Sequence, residues 1–460
     1  MIRFDSTLSA ARLLAKIERF FDLSAAKIRA LEADWNPANG APVFTVQGRY
    51  TSQAWTEWTE GFVYGSALLQ FDATGDRWFL DLARRHAFGR QTLHLTDFGV
   101  HDHGFNNVST YGNLLRLGKE GKFKLESFEA EFYRLALKIS GAVQAARWSR
   151  TASGKGYIHS FNGPHSLFAD TIRSLRSLAL AHRLGHTLIE EGGRRVSLLE
   201  RLIHHAATTA EFNVYYGEGR DIYDVPGRVA HESIFNMRDG TYRCASSQQG
   251  YSPYSTWTRA LAWIICGYAE QLEFVEAAGE APFEPLGGRE PTKEMMLRAA
   301  LAASDYYLEQ AASDGIPYWD TAAPGLTGLG DWAHKPSDPY NEAEPVDSSA
   351  AAIAAQGLWR LGKYLDHPGR DPERAGRYNC ASLTIAGTLF SEPYLSTSAA
   401  HQGLILHSVY HRPRGWDYVP AGRAIPCGES SMWGDYHARE LALLLLRECN
   451  QEPGFTFFDV

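Results

Sequence analysis

SSAAAIAAQGLWRL, residues 348–361, places small or apolar side chains on nearly every side of a helix and carries only one charge, Arg360. A surface helix needs a polar face, so a helix apolar almost all round belongs inside a structure and must be surrounded. Helical periodicity also recurs over residues 11–21, 61–70, 77–88, 123–146, 166–183, 198–211, 255–276, 293–311, 373–390 and 433–447, with almost no alternation of the kind that marks strands. The joints DATGD (72–76), RLG (183–185), EEGG (190–193) and AAGEAPFEPLGG (277–288) are rich in Gly, Asp and Pro, as helix connections are. None is long or polar enough to link separate domains. The expectation is one all-α unit spanning residues 1–460.

Serial helical hairpins form either an open solenoid or a closed toroid, and the signatures of the common solenoid repeats are absent. Closure is favoured by a second pattern. Aromatic and acidic residues cluster where helices begin, in WTEWTEGF, HDHGF, SLFADT, QGYSPYSTW, GIPYWD and MWGDY. In a toroid those ends converge on one mouth. A mouth of Trp, Tyr, Asp and Arg suits a sugar, whose ring faces stack on aromatics while its hydroxyls take polar partners.

Composition bounds the partners. The chain has 460 residues, 44% hydrophobic and 21% charged, with a net charge of -8 and no long run of one sign. That pattern excludes a nucleic-acid footprint and a polybasic membrane surface. The five cysteines form no CxxC pair, so neither a disulfide framework nor a cysteine zinc site is expected. MIRFDSTLSAARLLAKIERF, residues 1–20, interrupts its apolar residues with Arg12, Lys16 and Arg19 and has no signal core. No run long enough to span a membrane follows, and a cytoplasmic location is expected.

Three stretches carry candidate chemistry. In HDHGF (101–105), histidines two apart point to opposite sides of a helix, and no HExxH or further ligand lies nearby, so no metal site is expected. Asp170, in HSLFADTIRSL, follows Phe168 and Ala169 at a helix start. It is either a desolvated acid with a raised pKa or an ordinary first-turn carboxylate. In QGYSPYSTWTRALAW (249–263), Arg259 and Trp263 share a helix face, ten and fourteen residues after Gln249. Arginine, indole and amide suit a sugar carboxylate, but a buried tryptophan with a snorkelling arginine accounts for the pattern equally well.

Taken together, WTEWTEGFVYG, HDHGF, FADTIRSL, the series GRVAH, QQGY and STWTRALAW, then PYWD, DSSAAAIAAQGLWRL and GDYHARE resemble, in this order, the signature stretches of the unsaturated glucuronyl hydrolases, glycoside hydrolase family 88. The resemblance implies an (α/α)6 barrel, a six-hairpin toroid. It implies hydrolysis of oligosaccharides ending in a 4,5-unsaturated uronic acid by hydration of the C4=C5 enol ether, without metal or cofactor. By the same resemblance Asp170 is the general acid and base and Asp102 the second, ionised carboxylate. Trp58, His231, Gln249, Arg259 and Trp263 match substrate-binding positions, and Phe161 stands where a stacking tryptophan is common. Arg173, Ser174 and Ala260 depart from the family pattern, and the stretches 213–230 and 321–345 are longer than hairpin turns require. Three alternatives remain beside this reading: an unsaturated rhamnogalacturonyl hydrolase, an α/α-barrel polysaccharide lyase with a Tyr or His base, and a non-catalytic sugar-binding protein.

Overall fold

The computed structural model describes residues 1–53 and 57–459; Trp55 and Thr56 of the WTEWTEGF stretch lie outside the described residues. The helices in chain order are α1 (Ala10–Asp34), α2 (Glu60–Thr74), α3 (Arg77–Phe88), α4 (Asn113–Lys119), α5 (Ser127–Ala146), α6 (Thr171–Ser174), α7 (Arg176–Arg183), α8 (Leu198–Phe212), α9 (Thr258–Ala277), α10 (Arg289–Gln310), α11 (Ser348–Leu365), α12 (Pro372–Leu389) and α13 (Met432–Cys449). A π-helical segment, Gly104–Gly112, runs directly into α4, and α6 and α7 form one broken rod.

These helices make two concentric rings. In the inner ring α2 packs on the 104–119 rod, that rod on α6 and α7, α6 on α9, α9 on α11, α11 on α13, and α13 back on α2. Outside it, α1, α3, α5, α8, α10 and α12 each cover inner neighbours. The stretch 348–361 lies in the inner ring and all of it is buried, as its composition requires. Its helix starts at Asp347, whose carboxylate accepts from the Ser349 and Ala350 N–H groups.

Close approach of the inner helices depends on glycine. A Cβ on Gly61 would lie 2.3 Å from the Asn106 backbone, one on Gly104 2.5 Å from the Ser174 carbonyl, and one on Gly357 2.7 Å from the Cys266 backbone. Gly267 against Arg173, Gly434 against Ser349 and Gly65 against Tyr436 do the same at the remaining junctions. Every contact between neighbouring inner rods therefore contains a residue whose side chain is absent.

The axis of the ring holds buried charge. Arg173 is fully buried. It donates to Glu270 of α9 at 2.9 Å and to Glu440 of α13 at 2.7 Å, while Arg176 donates to Glu270 at 3.2 Å. His437 donates from Nδ1 to the Trp433 carbonyl at 2.5 Å, leaving Nε2 to accept from Arg173. Two departures from the family pattern are thereby structural. Arg173 joins three inner rods, and Ser174 accepts the Gly104 N–H at 2.8 Å.

Several expectations change. The first helix continues to Asp34, because Ile28 and Leu31 extend the stripe of Leu13, Ile17 and Phe20. Residues 166–168, expected to be helical, form a strand paired with Glu232–Phe235, which pairs in turn with Tyr242–Ser246. The structure also contains three small two-stranded sheets that the weak alternation did not reveal.

The glycine contacts give a test with opposite signs. Gly357→Ala should destabilise the protein by about 1–3 kcal/mol through overpacking. Gly376→Ala, in α12 with nothing within 4 Å of the added methyl, should stabilise it by roughly 0.5–1 kcal/mol. Denaturant titration of both variants measures the difference.

Candidate active site

The N-terminal ends of the inner rods meet around a cavity of about 330 Å³. Asp102 stands just before the π-helical segment and Asp170 just before α6. Neither carboxylate caps its helix. The Asp102 backbone carbonyl accepts from Phe105 and Asn106, and Asp170 makes no side-chain capping bond. The ordinary first-turn explanation for Asp170 therefore fails, since its carboxylate faces the cavity instead.

His101 lies between the two acids, with Nε2 3.6 Å from an oxygen of each. Neither nitrogen of this buried ring has a hydrogen-bond partner among the described residues. His103 diverges as its spacing requires, with Nε2 2.8 Å from the Asp97 carbonyl and Nδ1 against Ser140. The trio His101, Asp102 and Asp170 can present one ligand atom each within 4.8 Å of one another. Asp170 comes from a distant segment, so no local ligand spacing in the sequence records that grouping.

The electrostatics of the two acids differ. Burial pushes the Asp102 carboxyl up to about 6; nearby His101 opposes this and Asp170 adds to it. Burial also acts against ionised Asp170, but His101 and then His231 outweigh it and hold that carboxyl below its usual range. Burial likewise disfavours the imidazolium of His101, yet the charges of Asp102 and Asp170 raise its pKa. These neighbours shift proton affinity towards Asp102 and His101 and away from Asp170.

Aromatic rings form the walls. Phe161 stacks on His101 with ring centres 5.8 Å apart, and Trp58 stacks on Trp433 at 5.2 Å. Trp263 is buried in the floor against Phe105 at 4.8 Å and the edge of His437 at 4.9 Å. All three line the cavity, as does Gln249.

Two expected contact residues have other roles. The terminal nitrogens of Arg259 donate to Gln249 at 3.1 Å, to the Tyr410 carbonyl at 2.8 Å, to the Val409 carbonyl and to Asp347. Its guanidinium lies between Trp257 and Trp433 at 4.5 and 4.7 Å. Arg259 lines the cavity, but its terminal N–H groups are spent on positioning. Because Gln249 accepts through Oε1, its NH₂ group is left to donate to a ligand. His231 does not line the cavity. Its Nδ1 accepts from the Gln248 and Gln249 N–H groups at 3.1 and 3.4 Å, its ring packs on Phe168 and Trp257, and burial lowers its proton affinity against the opposing pull of Asp170.

Sequence reasoning missed His101, Trp257, Tyr410, His411 and Trp416, which also line the cavity. His101 adjoins Asp102 in HDHGF and was legible once a second carboxylate was placed beside it. The segment 409–417 carries no helical pattern. It is held by Arg259 and by Asp417, which accepts from the Tyr410 and His411 N–H groups at 2.5 and 3.0 Å.

Comparison with known proteins agrees with the resemblance drawn from the motifs. No protein-family model matches the chain. An unsaturated glucuronyl hydrolase of Bacillus sp. (strain GL1) is 26% identical over 398 residues, covering 85% of this chain and 87% of that protein. An unsaturated chondroitin disaccharide hydrolase of Streptococcus pyogenes serotype M1 is 23% identical, covering 94% and 92%. The crystal structure of the Bacillus sp. GL1 unsaturated glucuronyl hydrolase superposes with a TM-score of 0.68 at 22% identity, over 92% of this chain and 94% of that one. That of an unsaturated glucuronyl hydrolase from Streptococcus agalactiae gives 0.69 at 19% identity, over 98% of each. The fold is the (α/α)6 barrel expected from the sequence.

The raised pKa of Asp102 has a stability consequence. Between its ordinary 3.8 and about 6, the folded state holds a proton that the unfolded chain has released. This contribution is complete below about pH 4 and is lost as pH rises through 6, a change on the order of 2–3 kcal/mol. Asp102→Asn should therefore raise the melting temperature relative to wild type above pH 7, with the gain shrinking towards pH 4. Scanning calorimetry at the two pH values measures this.

Proposed function

We propose that the protein is an unsaturated uronyl hydrolase, removing the 4,5-unsaturated uronic acid from the non-reducing end of lyase-generated oligosaccharides. The observation that carries this reading is the trio Asp102, His101 and Asp170 at the base of an aromatic-walled cavity. The curated relatives are named for hydrolysis of unsaturated glucuronyl or chondroitin disaccharides, which supports the same substrate class.

The sugar ring enters between Trp58, Phe161 and Trp263, whose faces take its C–H surface. Its carboxylate lies towards the Gln249 NH₂ group, in a field made positive by converging helix N-termini. Asp170 faces the C4=C5 bond. In this reading the uronate charge entering beside Asp170 raises its proton affinity, and His101, within 3.6 Å of both acids, passes it the proton that Asp102 and His101 hold in the resting site.

Protonation of C4 by Asp170 draws the π electrons into the new C–H bond and leaves positive charge shared by C5 and the ring oxygen. Ionised Asp102 balances that charge. Water adds its oxygen to C5 and gives a proton to the Asp170 carboxylate, restoring the acid. The resulting hemiketal opens and releases the shortened sugar. The site uses an acid and an anion with exchangeable roles, so the lyase reading, which needs a lone strong base, fits it less well.

The expected result is loss of the ultraviolet absorbance of an unsaturated glucuronyl disaccharide when it is incubated with the protein. Asp170→Asn should lower kcat by about 10²–10⁴-fold while substrate still binds. Unchanged turnover in that variant would overturn the assignment. Decay only on a rhamnogalacturonan-derived disaccharide would move the substrate to that class, and retained binding without any decay would leave a sugar-binding protein.

The pH profile provides a separate check. With a proton held near pH 6, kcat should fall on the alkaline side as the trio loses it. A chelator should leave the rate unchanged.

A further inference from the structure

A second cavity, of about 220 Å³, lies between α1, α2, α3 and α13 and shares no lining residue with the catalytic one. Its walls are largely apolar and aromatic, including Leu31, Trp35, Val63, Tyr64 and Met432. The charged groups that reach it have protein partners. Lys27 donates to Ser396 and to the Ser398 and His401 carbonyls. Asp435 accepts from Tyr50 and from the Leu404 and Ile405 N–H groups. Glu60 is held by Arg90 and His94, and Glu32 lies 3.7 Å from His86.

Arg439, like Lys27, has only neutral partners, but one of its terminal nitrogens is unused among the described residues. It is 3% exposed, and its guanidinium donates only to two hydroxyls, Ser24 at 2.8 Å and Ser66 at 3.1 Å. Among the described residues no carboxylate lies within ion-pair distance of it, and its Nη2 donates to none of them. Burial disfavours its charge, offset in part by the more distant Asp435. A buried guanidinium normally has a carboxylate partner, because the desolvation cost is otherwise uncompensated. Here Arg439 lines a largely apolar chamber large enough for a small molecule.

We propose that this cavity is a second ligand site, taking a small monocarboxylate whose oxygens meet the Arg439 fork and whose flat apolar body lies against Trp35, Tyr64 and Val63. A planar carboxylate matches two parallel N–H donors, and the apolar walls select against phosphate and sulfate, which need donors on all sides. Asp435, Glu32 and Glu60 also line the chamber, but Asp435 is held by Tyr50 and two N–H groups, the two glutamates each have a cationic neighbour, and none approaches Arg439 within ion-pair distance.

Sodium benzoate is the probe, with benzamide as its uncharged counterpart and sodium chloride to match ionic strength. Benzoate should raise the melting temperature of the intact protein in a saturable manner, and benzamide should not. In Arg439→Met, which removes the charge and keeps an apolar side chain, benzoate affinity should fall at least roughly tenfold. Val63→Phe, which fills the chamber and retains Arg439, should abolish the response and serves if Arg439→Met does not fold. No benzoate shift in the wild-type protein overturns the proposal. An equal shift in either folded variant also overturns it, since that is the pattern of a carboxylate bound in the catalytic cavity.

Discussion

Ring closure in this protein rests on close contact between inner helices at glycine. Six rods can close around a narrow axis only if neighbours approach more nearly than side chains normally permit. Gly61, Gly65, Gly104, Gly267, Gly357 and Gly434 supply that approach, one at each junction. The consequence reaches the chemistry directly. Once the rods close, their N-terminal ends must share one rim, and the residues just before them, Trp58, Asp102, Asp170, Trp257 and Asp347, are brought together from segments far apart in the chain. The same rim gathers the positive ends of the helix dipoles, a setting suited to an anionic sugar.

Below that rim the ring is tied by charge. Arg173, Arg176, Glu270 and Glu440 balance one another without solvent, and each bond crosses from one inner rod to another. Such a cluster adds little net stability over an apolar core, but it demands partners in fixed positions and penalises any slip in register. His437 connects it to the site. The ring accepts from Arg173 on one side and supports Trp263 on the other, so the indole floor of the cavity stands on the charged axis.

The active-site acids show how neighbours override residue type. Both Asp102 and Asp170 are buried, and burial alone would raise both pKa values. His101 is 3.6 Å from each, but Asp170 also has His231 behind it and its proton affinity is lowered, while that of Asp102 is raised. Two carboxyls with divergent affinities, joined by an imidazole that exchanges with both, form a proton store that a bound uronate can redistribute. Reading Asp170 from its apolar sequence neighbours captured its burial but not His101 or His231, which come from other segments.

By itself the sequence determined the helical architecture and the need to bury 348–361, and its ordered motifs carried the resemblance that singled out Asp102 and Asp170. These follow from periodicity and from motifs whose members are close in the chain. Tertiary structure alone decided which neighbours shift each carboxyl, that Arg259 holds Gln249 through its Oε1, and that 409–417 forms a wall. It also decided that Ser166–Phe168 is a strand, because its partner lies some sixty residues away. The physical reason is common to all of them. Helix formation and amphipathicity are set by interactions within a few residues. Proton affinity, hydrogen-bond allegiance and strand pairing are set by whatever the closed ring brings within a few ångströms, and no local pattern records those neighbours.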